Sequence, residues 1–112
     1  GLAARGVLTA AALTATPNGT PVHTAGHVIV RQRPASAGGL LFLTLEDETG
    51  TSNLVVHPRT YERHRAIARH GVLILVEGRI DRAGEVVHLV VDRFESLDDL
   101  AAGISAGSRD FH

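Results

Sequence analysis

The chain has 112 residues and a mass of 11.8 kDa, which corresponds to a single domain. Hydrophobic residues make up 44% and charged residues 21%, a balance typical of a globular protein and not of a disordered one. Cysteine is absent, which excludes disulfides, cysteine-ligated zinc and thiol catalysis. The net charge of -1 excludes attraction of nucleic acid to the whole surface, so a polyanion would have to bind a local patch.

The sequence predicts neither a membrane span nor an export signal. No apolar run approaches the roughly 20 residues that a membrane helix needs. Residues 1–6 lack the cationic segment followed by a long apolar stretch that defines a signal peptide. We therefore expect a cytoplasmic protein that makes no membrane contact.

Residues 1–21 predict an N-terminal helical arm. An apolar helical stripe is formed by Val7, Leu8, Ala11, Ala12 and Leu13. The Pro-Asn-Gly triplet at 17–19 ends the helix, because proline cannot continue it and Asn-Gly favours a turn.

Alternating apolar and polar residues predict three consecutive strands, over 22–33, 40–47 and 51–57. On the first strand we expect one face to carry Val22, Thr24, Gly26, Val28 and Val30, and the other His23, Ala25, His27, Ile29, Arg31 and Arg33. On the second strand Leu41, Leu43 and Leu45 are expected inside, and Leu40, Phe42, Thr44 and Glu46 outside. Gly26 indicates a bulge or sharp bend.

Pro58 opens a predicted helix that runs to about His70, where Gly71 ends it. Two further strands follow, over 72–80 and 85–94, and Ser96 caps a short helix over 96–104. This order predicts an all-β fold, the five-stranded OB-fold Greek-key barrel with a helix between strands three and four and short terminal helices. The expected division is an arm over 1–21, the barrel over 22–95 and a helix and tail over 96–112. A small α+β sheet also fits the order.

The outward face of the first three strands is the predicted binding surface, since OB-folds bind single strands there by stacking and by arginine contacts. Phe42 would stack on a base, and Arg31 and Arg33 would contact phosphates from the same face. Asn53 and His57 would form hydrogen bonds with base edges, and His27 would offer a further flat ring. The predicted nucleic-acid-binding set is Phe42, Arg31, Arg33, Asn53, Thr44, His57 and His27. In the alternative interpretation, Phe42 belongs to the core.

Catalytic and metal sites are not predicted. Alternation along the strand points Glu46 and Asp47 to opposite faces, and acids in such a turn are usually solvated. The histidines at 57, 64 and 70 lack metal-binding spacing. No G-x-S-x-G or phosphate-binding glycine loop occurs. We expect no catalytic residue, no metal and no cofactor.

The stretches VRQRPASAGGLLFLTLEDETGTSNLVVHP (30–58), YERHR (61–65), LVEGRIDRAGEVVHLVVDR (75–93) and SRDFH (108–112) resemble the C-terminal part of the bacterial error-prone C-family DNA polymerases. These are damage-inducible relatives of the DNA polymerase III alpha subunit. The resemblance covers about residues 6–112. It implies an OB-fold domain on the single-stranded template, with the catalytic aspartates of the palm domain outside this chain. By position it implies template contacts for Phe42 and Asn53, and less directly for Arg31 and Arg33.

The implied partners are single-stranded DNA, other domains of the same polymerase and accessory mutagenesis proteins. Two alternatives remain open. The acidic segment 85–110 and the arginine-rich helix 59–69 could form a protein-docking module, because fold does not determine function. The pattern F-L-T-L-E-D-E-T-G also resembles the anticodon-binding domains of class II aminoacyl-tRNA synthetases, which would imply tRNA as the ligand.

Overall fold

The computed structural model describes residues 6–99, and they form a closed β-barrel with short helices. The predicted terminal residues 108–112 and most of the helix over 96–104 lie outside the described residues. In chain order the elements are β1 (Val7–Leu8), α1 (Ala10–Leu13), β2 (Pro21–Gln32), a 3-10 turn (Ala35–Ala37), β3 (Leu41–Asp47), β4 (Gly50–Val56), α2 (Pro58–Arg63), α3 (Arg65–His70), β5 (Leu73–Ala83) and β6 (Val86–Ser96).

The barrel closes because β2 is long enough to pair with two different strands. Its first half, from Pro21 to His27, runs antiparallel to β5, and its second half, from His27 to Gln32, runs antiparallel to β3. The antiparallel hairpins β3–β4 and β5–β6 are joined by a parallel pairing of β4 with β6. The predicted five-stranded OB-fold is therefore confirmed.

Gly26 lies where β2 passes from one partner strand to the other. A Cβ atom on this residue would stand 2.7 Å from the carbonyl oxygen of Glu46, so a side chain there would force the backbones of β2 and β3 apart. Glycine therefore permits the close approach of β2 and β3 at this position, while the predicted irregularity lies further along the strand.

The irregularity in β2 is a β-bulge at Ile29, three residues beyond Gly26. Val28 pairs with Leu45 and Val30 pairs with Thr44, so Ile29 is the extra residue with no partner across the sheet. The bulge reverses the alternation of the side chains that follow it. The prediction that Val30 shares a face with Val22 and Thr24 is therefore wrong: those two residues are buried, whereas Val30 is 40% exposed.

The predicted single helix over 58–70 is broken at His64 into α2 and α3. His64 has φ -124° and ψ 33°, outside the helical region, while Pro58 occupies the first turn of α2 as predicted. Tyr61 and Ala68 are buried and cover one end of the barrel. The break allows both short helices to turn an apolar residue onto the same core.

The N-terminal arm contains a strand as well as a helix. β1 pairs in parallel with β2, and only the four residues of α1 are helical. The predicted apolar stripe is wrong in detail, because Ala10 and Leu13 are buried whereas Ala11 is exposed.

The turn between β3 and β4 caps α1. Asp47 Oδ2 accepts a hydrogen bond from the amide of Ala10 at 2.8 Å, and Thr49 Oγ1 accepts one from Ala11 at 3.0 Å. Thr9 Oγ1 accepts from Ala12 at 3.2 Å, so three amides that a helix start leaves unpaired find acceptors. The interpretation of this acidic turn as merely solvated is therefore wrong for Asp47.

The core fills the barrel with aliphatic side chains that alternate along the strands. Its members are Val22, Leu41, Leu43, Leu45, Leu54, Val56, Ile74, Val76, Ile80, Leu89, Val91 and Phe94, together with Leu13, Tyr61 and Ala68 at the barrel ends. Leu41, Leu43 and Leu45 are inside, as predicted. Within residues 6–99, no helix is long and apolar enough to cross a membrane.

We predict that Asp47→Asn lowers the free energy of unfolding by about 1 kcal/mol, the usual value of a helix-capping contact. Burial raises the pKa of the Asp47 carboxyl, but hydrogen bonds from Thr49, Ala10 and Gly50 outweigh burial and bring the net pKa below its ordinary value. The carboxylate therefore stabilises the fold above about pH 4 and ceases to do so as the pH falls through the lower folded pKa. Urea unfolding at pH 7 measures the difference, and Glu48→Gln, in the same turn and exposed, is the control expected to change nothing.

Candidate nucleic-acid interface

The outer face of β2, β3 and β4 presents three rows of paired residues. One row consists of Gln32, Phe42 and Val55, the next of Val30, Thr44 and Asn53, and the third of His27, Glu46 and Thr51. Side chains in a row lie side by side across the strands. The face therefore has an aromatic and aliphatic end around Phe42 and a polar end around Glu46.

Phe42 lies on the outer face and outside the buried core cluster. It is half-buried, while its neighbours along β3, Leu41 and Leu43, are among the buried core residues. Strand alternation thus leaves one surface of the ring accessible from the solvent side. A single accessible aromatic on an otherwise polar and aliphatic face is the geometry that allows one base to stack.

Thr44 and Asn53 form a polar pair beside Phe42. The hydroxyl of Thr44 donates to Oδ1 of Asn53 at 3.3 Å. This bond occupies the amide oxygen of Asn53, so its exposed NH₂ group remains able to donate hydrogen bonds to a ligand.

His57 and His27 lie at opposite ends of the same region. His57 is exposed, follows Val55 along β4 and immediately precedes α2. His27 is exposed and pairs across the sheet with Glu46. His57 therefore lies two positions along the chain from Val55, the partner of Phe42, and His27 lies beside an acidic residue.

Arg31 does not share the face of Phe42, which corrects the sequence prediction. The bulge at Ile29 turns its side chain to the end of the barrel, where Nε donates to the carbonyl of Ala68 at 2.8 Å and Nη2 donates to that of Gly71 at 2.7 Å. These carbonyls end α3 and have no partner inside the helix. Partial burial lowers the pKa of the guanidinium, which nevertheless stays protonated at neutral pH.

Arg33 is also directed away from the Phe42 face. Its guanidinium carbon lies 4.0 Å from the ring centroid of Tyr61, a cation–π contact with a buried aromatic. Its Nε donates to the carbonyl of Gly39 at 3.4 Å, a long hydrogen bond. The prediction that Phe42, Arg31 and Arg33 share one face is therefore wrong, because the bulge at Ile29 changes the face of both arginines.

Sequence reasoning missed His88, which stands next to Asn53 across the parallel pairing of β4 and β6. Both residues line a cleft of about 350 Å³ between α1 and the β5–β6 turn. Asn53 and His88 are 35 positions apart in the sequence, so no local sequence pattern reveals that they are neighbours in the sheet. The partial signal was the phase of the fifth strand, which places His88 outward when Leu89 is inward.

His64, at the break between α2 and α3, lies against the core. Its ring centroid is 5.6 Å from that of Phe94, at an angle of 50° between the planes. Burial lowers the pKa of His64, and the charges of Arg63 and Arg93 lower it further. The imidazole is therefore kept neutral where the arginine-rich helices meet the barrel.

A comparison with known protein families agrees with the barrel described above. The sequence profile described as the OB-fold nucleic acid binding domain matches residues 22–97. The chain belongs to this family. The match spans all five barrel strands.

Relatives identical at nearly half of the positions are error-prone DNA polymerases. The OB-fold domain is 47% identical over 112 residues to the enzyme of Anaeromyxobacter dehalogenans (strain 2CP-C) and 51% identical over 108 residues to that of Alkalilimnicola ehrlichii. These alignments cover 100% and 96% of this chain but only 10% of each polymerase. The chain thus corresponds to a tenth of such a polymerase, at its C-terminal end.

Two solved structures support the fold. The asparaginyl-tRNA synthetase of Pyrococcus horikoshii superimposes with a TM-score of 0.65 and 23% identity, over 80% of this chain and 22% of the synthetase. An OBody bound to hen egg-white lysozyme gives a TM-score of 0.64 and 14% identity, over 80% of this chain and 91% of the OBody. At these identities the likeness concerns the fold alone.

We predict that His64 makes the domain less stable in mild acid. Because its folded pKa lies below the ordinary histidine value of about 6.5, the unfolded chain binds the proton more readily, and stability falls as the pH drops below that value. His64→Phe should reduce the difference between the urea midpoints at pH 7.5 and pH 5.5. The exposed His70→Gln variant is the control; an equal reduction in both variants would assign the effect elsewhere.

Proposed function

We propose that this OB-fold domain binds single-stranded DNA through the outer face of β3 and β4. The observation that carries the proposal is the half-buried Phe42 ring beside the hydrogen-bonded pair Thr44 and Asn53. One base would stack on the ring, since every base presents a π-face to an aromatic side chain. The free NH₂ group of Asn53 would donate to an acceptor on a base edge or a phosphate.

The charge distribution orients the strand on this face. Glu46 and the exposed Glu48 lie at the β3–β4 turn, whereas His57 and Arg59 lie beyond the opposite end of β4. Arg59 has no hydrogen bond or ion pair among residues 6–99. Phosphates would be attracted to the basic end and repelled from the acidic turn, so the strand should approach Phe42 from the side of α2.

The relatives suggest the setting in which this contact acts. Because matching chains are named error-prone DNA polymerases, the proposed ligand is the single-stranded template of mutagenic, lesion-bypassing synthesis in the bacterial cytoplasm. Other domains of such a polymerase would perform nucleotidyl transfer. In this division of labour, the OB-fold domain holds the template and performs no chemistry itself.

We predict that Phe42→Ala weakens binding of a fluorescein-labelled 12-nucleotide single strand by about 1–3 kcal/mol, the usual value of one stacked base. Fluorescence anisotropy at 50 mM salt measures the affinity, which should fall as salt rises because counterions are released on binding. Val86→Ala is the matched control, since Val86 is 54% exposed and begins β6, where it pairs with Ala83 of β5 and not with β3. Equal affinity of the wild type and Phe42→Ala would contradict the proposal.

A second variant reports stacking directly. The chain contains no tryptophan and one tyrosine, so Phe42→Trp introduces a single tryptophan at the proposed contact, whose emission can be excited selectively. Its emission should be quenched when the strand is added. A DNA strand and an RNA strand of equal sequence should be compared in the same titration, and clear preference for RNA would favour the anticodon-type alternative.

Docking to another protein domain is a second candidate, favoured by exposed apolar side chains next to the bulge. Ile29 is 48% exposed and Val72 is 59% exposed, and they lie close together because the amide of Val28 donates to the carbonyl of Val72 at 2.9 Å. Such side chains often mark contact surfaces. The proposed partner is another domain of an error-prone polymerase, of which this chain matches a tenth. Accessory mutagenesis proteins would be partners of the same kind.

The docking proposal predicts that Ile29→Thr combined with Val72→Thr weakens association with an error-prone polymerase lacking its matching region. We expect a loss of at least about tenfold in affinity, as for interface residues that each contribute about 1 kcal/mol. Biolayer interferometry measures the affinity. Val86→Thr, at a third exposed valine, should leave it unchanged, and full retention in the double variant would exclude this surface.

A further inference from the structure

A basic depression lies at the end of the barrel covered by α3. Four basic side chains line it, namely Arg31, Arg33, Arg69 and His70, around a floor formed by Tyr61 and its apolar neighbours. Its volume is about 260 Å³, and no carboxylate of residues 6–99 lines it. Three arginines that share one depression repel one another unless an anion is bound.

The arginines of this depression are held in place by the fold. Arg31 is fixed by the carbonyl groups of Ala68 and Gly71, and the guanidinium carbon of Arg33 lies 4.0 Å from the ring centroid of Tyr61. Apart from this cation–π contact and the bond from Nε to Gly39, the Nη groups of Arg33 have no hydrogen-bond partner among residues 6–99. Planar guanidinium edges of this kind bind phosphate oxygens in pairs.

The depression adjoins the face on which we propose that DNA stacks. Arg33 follows Gln32, which pairs with Phe42, and the lining residue Leu41 precedes Phe42 in β3. Arg69 makes no hydrogen bond or ion pair within the described part of the chain and completes the open side. A strand whose base lies on Phe42 therefore has the basic residue Arg33 one position beyond the end of β2 and the apolar lining residue Leu41 one position back along β3.

We propose that Arg33 and Arg69 form a phosphate-binding subsite, oriented by Tyr61 and by the fixed guanidinium of Arg31. The ligand is a phosphate group, and its source is the backbone of the single strand that stacks on Phe42. The DNA backbone as the source of the phosphate rests on the proposed function. The recognition of a phosphate group does not, because a free phosphate would bind the same two arginines.

The test compares three arginine variants of the full chain with the same 12-nucleotide strand. Arg33→Ala and Arg69→Ala should each weaken binding about tenfold at 50 mM salt, as for loss of one charge-assisted phosphate contact, and reduce the salt slope by about one. Arg65→Ala is the charge-matched control, because Arg65 is exposed, pairs with Glu62 at 3.8 Å and is not among the residues that line the depression. Equal small losses in all three variants would overturn the subsite.

Two further measurements distinguish loss of binding from loss of folding, and phosphate of the DNA backbone from free phosphate. Arg33→Lys keeps the charge but loses the paired geometry, so it should retain the thermal midpoint and bind the strand less tightly than the wild type. Inorganic phosphate, titrated against chloride at constant ionic strength, should shift the Nε–Hε NMR signals of Arg33 and Arg69. If these signals shift while no strand binds to the wild type, the subsite stands and DNA binding fails. If the strand binds but depends only on Phe42, the subsite fails and DNA binding stands.

Discussion

The extra residue at Ile29 determines which side chains the barrel offers to a ligand. Strand β2 must leave β5 and join β3 within a few residues, and a bulge supplies the added bend and twist that closing a small barrel requires. Its consequence is chemical as well as geometric. Every side chain after Ile29 changes face, so Val30 enters the outer surface while Arg31 and Arg33 leave it.

Because the bulge moves Arg31 and Arg33 to the end of the barrel, they gain structural partners that a strand without a bulge would not bring within reach. Arg31 satisfies the last carbonyls of α3, and Arg33 covers the buried ring of Tyr61. The contact with Tyr61 does not occupy the whole guanidinium of Arg33, since its Nη groups have no hydrogen-bond partner among the described residues. A residue fixed by one set of contacts loses less conformational entropy when it binds a ligand with the remaining atoms. Structural and ligand-binding roles therefore reinforce one another at this end of the barrel.

Local patterning was sufficient for the existence and order of the five barrel strands and for the outward position of Phe42, but not for the short strand β1. Leucines at alternate positions of β3 place Phe42 on the opposite face whatever the rest of the chain does. The face of Arg31 could not be obtained in the same way, because the bulge at Ile29 is stabilised by pairing with β3 and by closure of the barrel, which are non-local. The capping of α1 by Asp47 and the proximity of Asn53 to His88 were missed for the same reason. Sequence alternation therefore predicts a face only up to the first irregularity in the strand.

A domain with one accessible stacking ring cannot hold a strand tightly by itself. One stacked base supplies about 1–3 kcal/mol, whereas the association of two molecules costs about 4 kcal/mol or more in lost freedom of motion. The same contact acts differently when neighbouring domains already hold the template. The domain and the strand then belong to one assembly, and for short linkers the effective concentration of the strand around the domain reaches about the millimolar range. Most of the loss of translational and rotational freedom has already occurred when the other domains bound the template. Weak binding by Phe42 and a few arginines is thus consistent with the role proposed above, in which the domain guides a template strand that must keep moving.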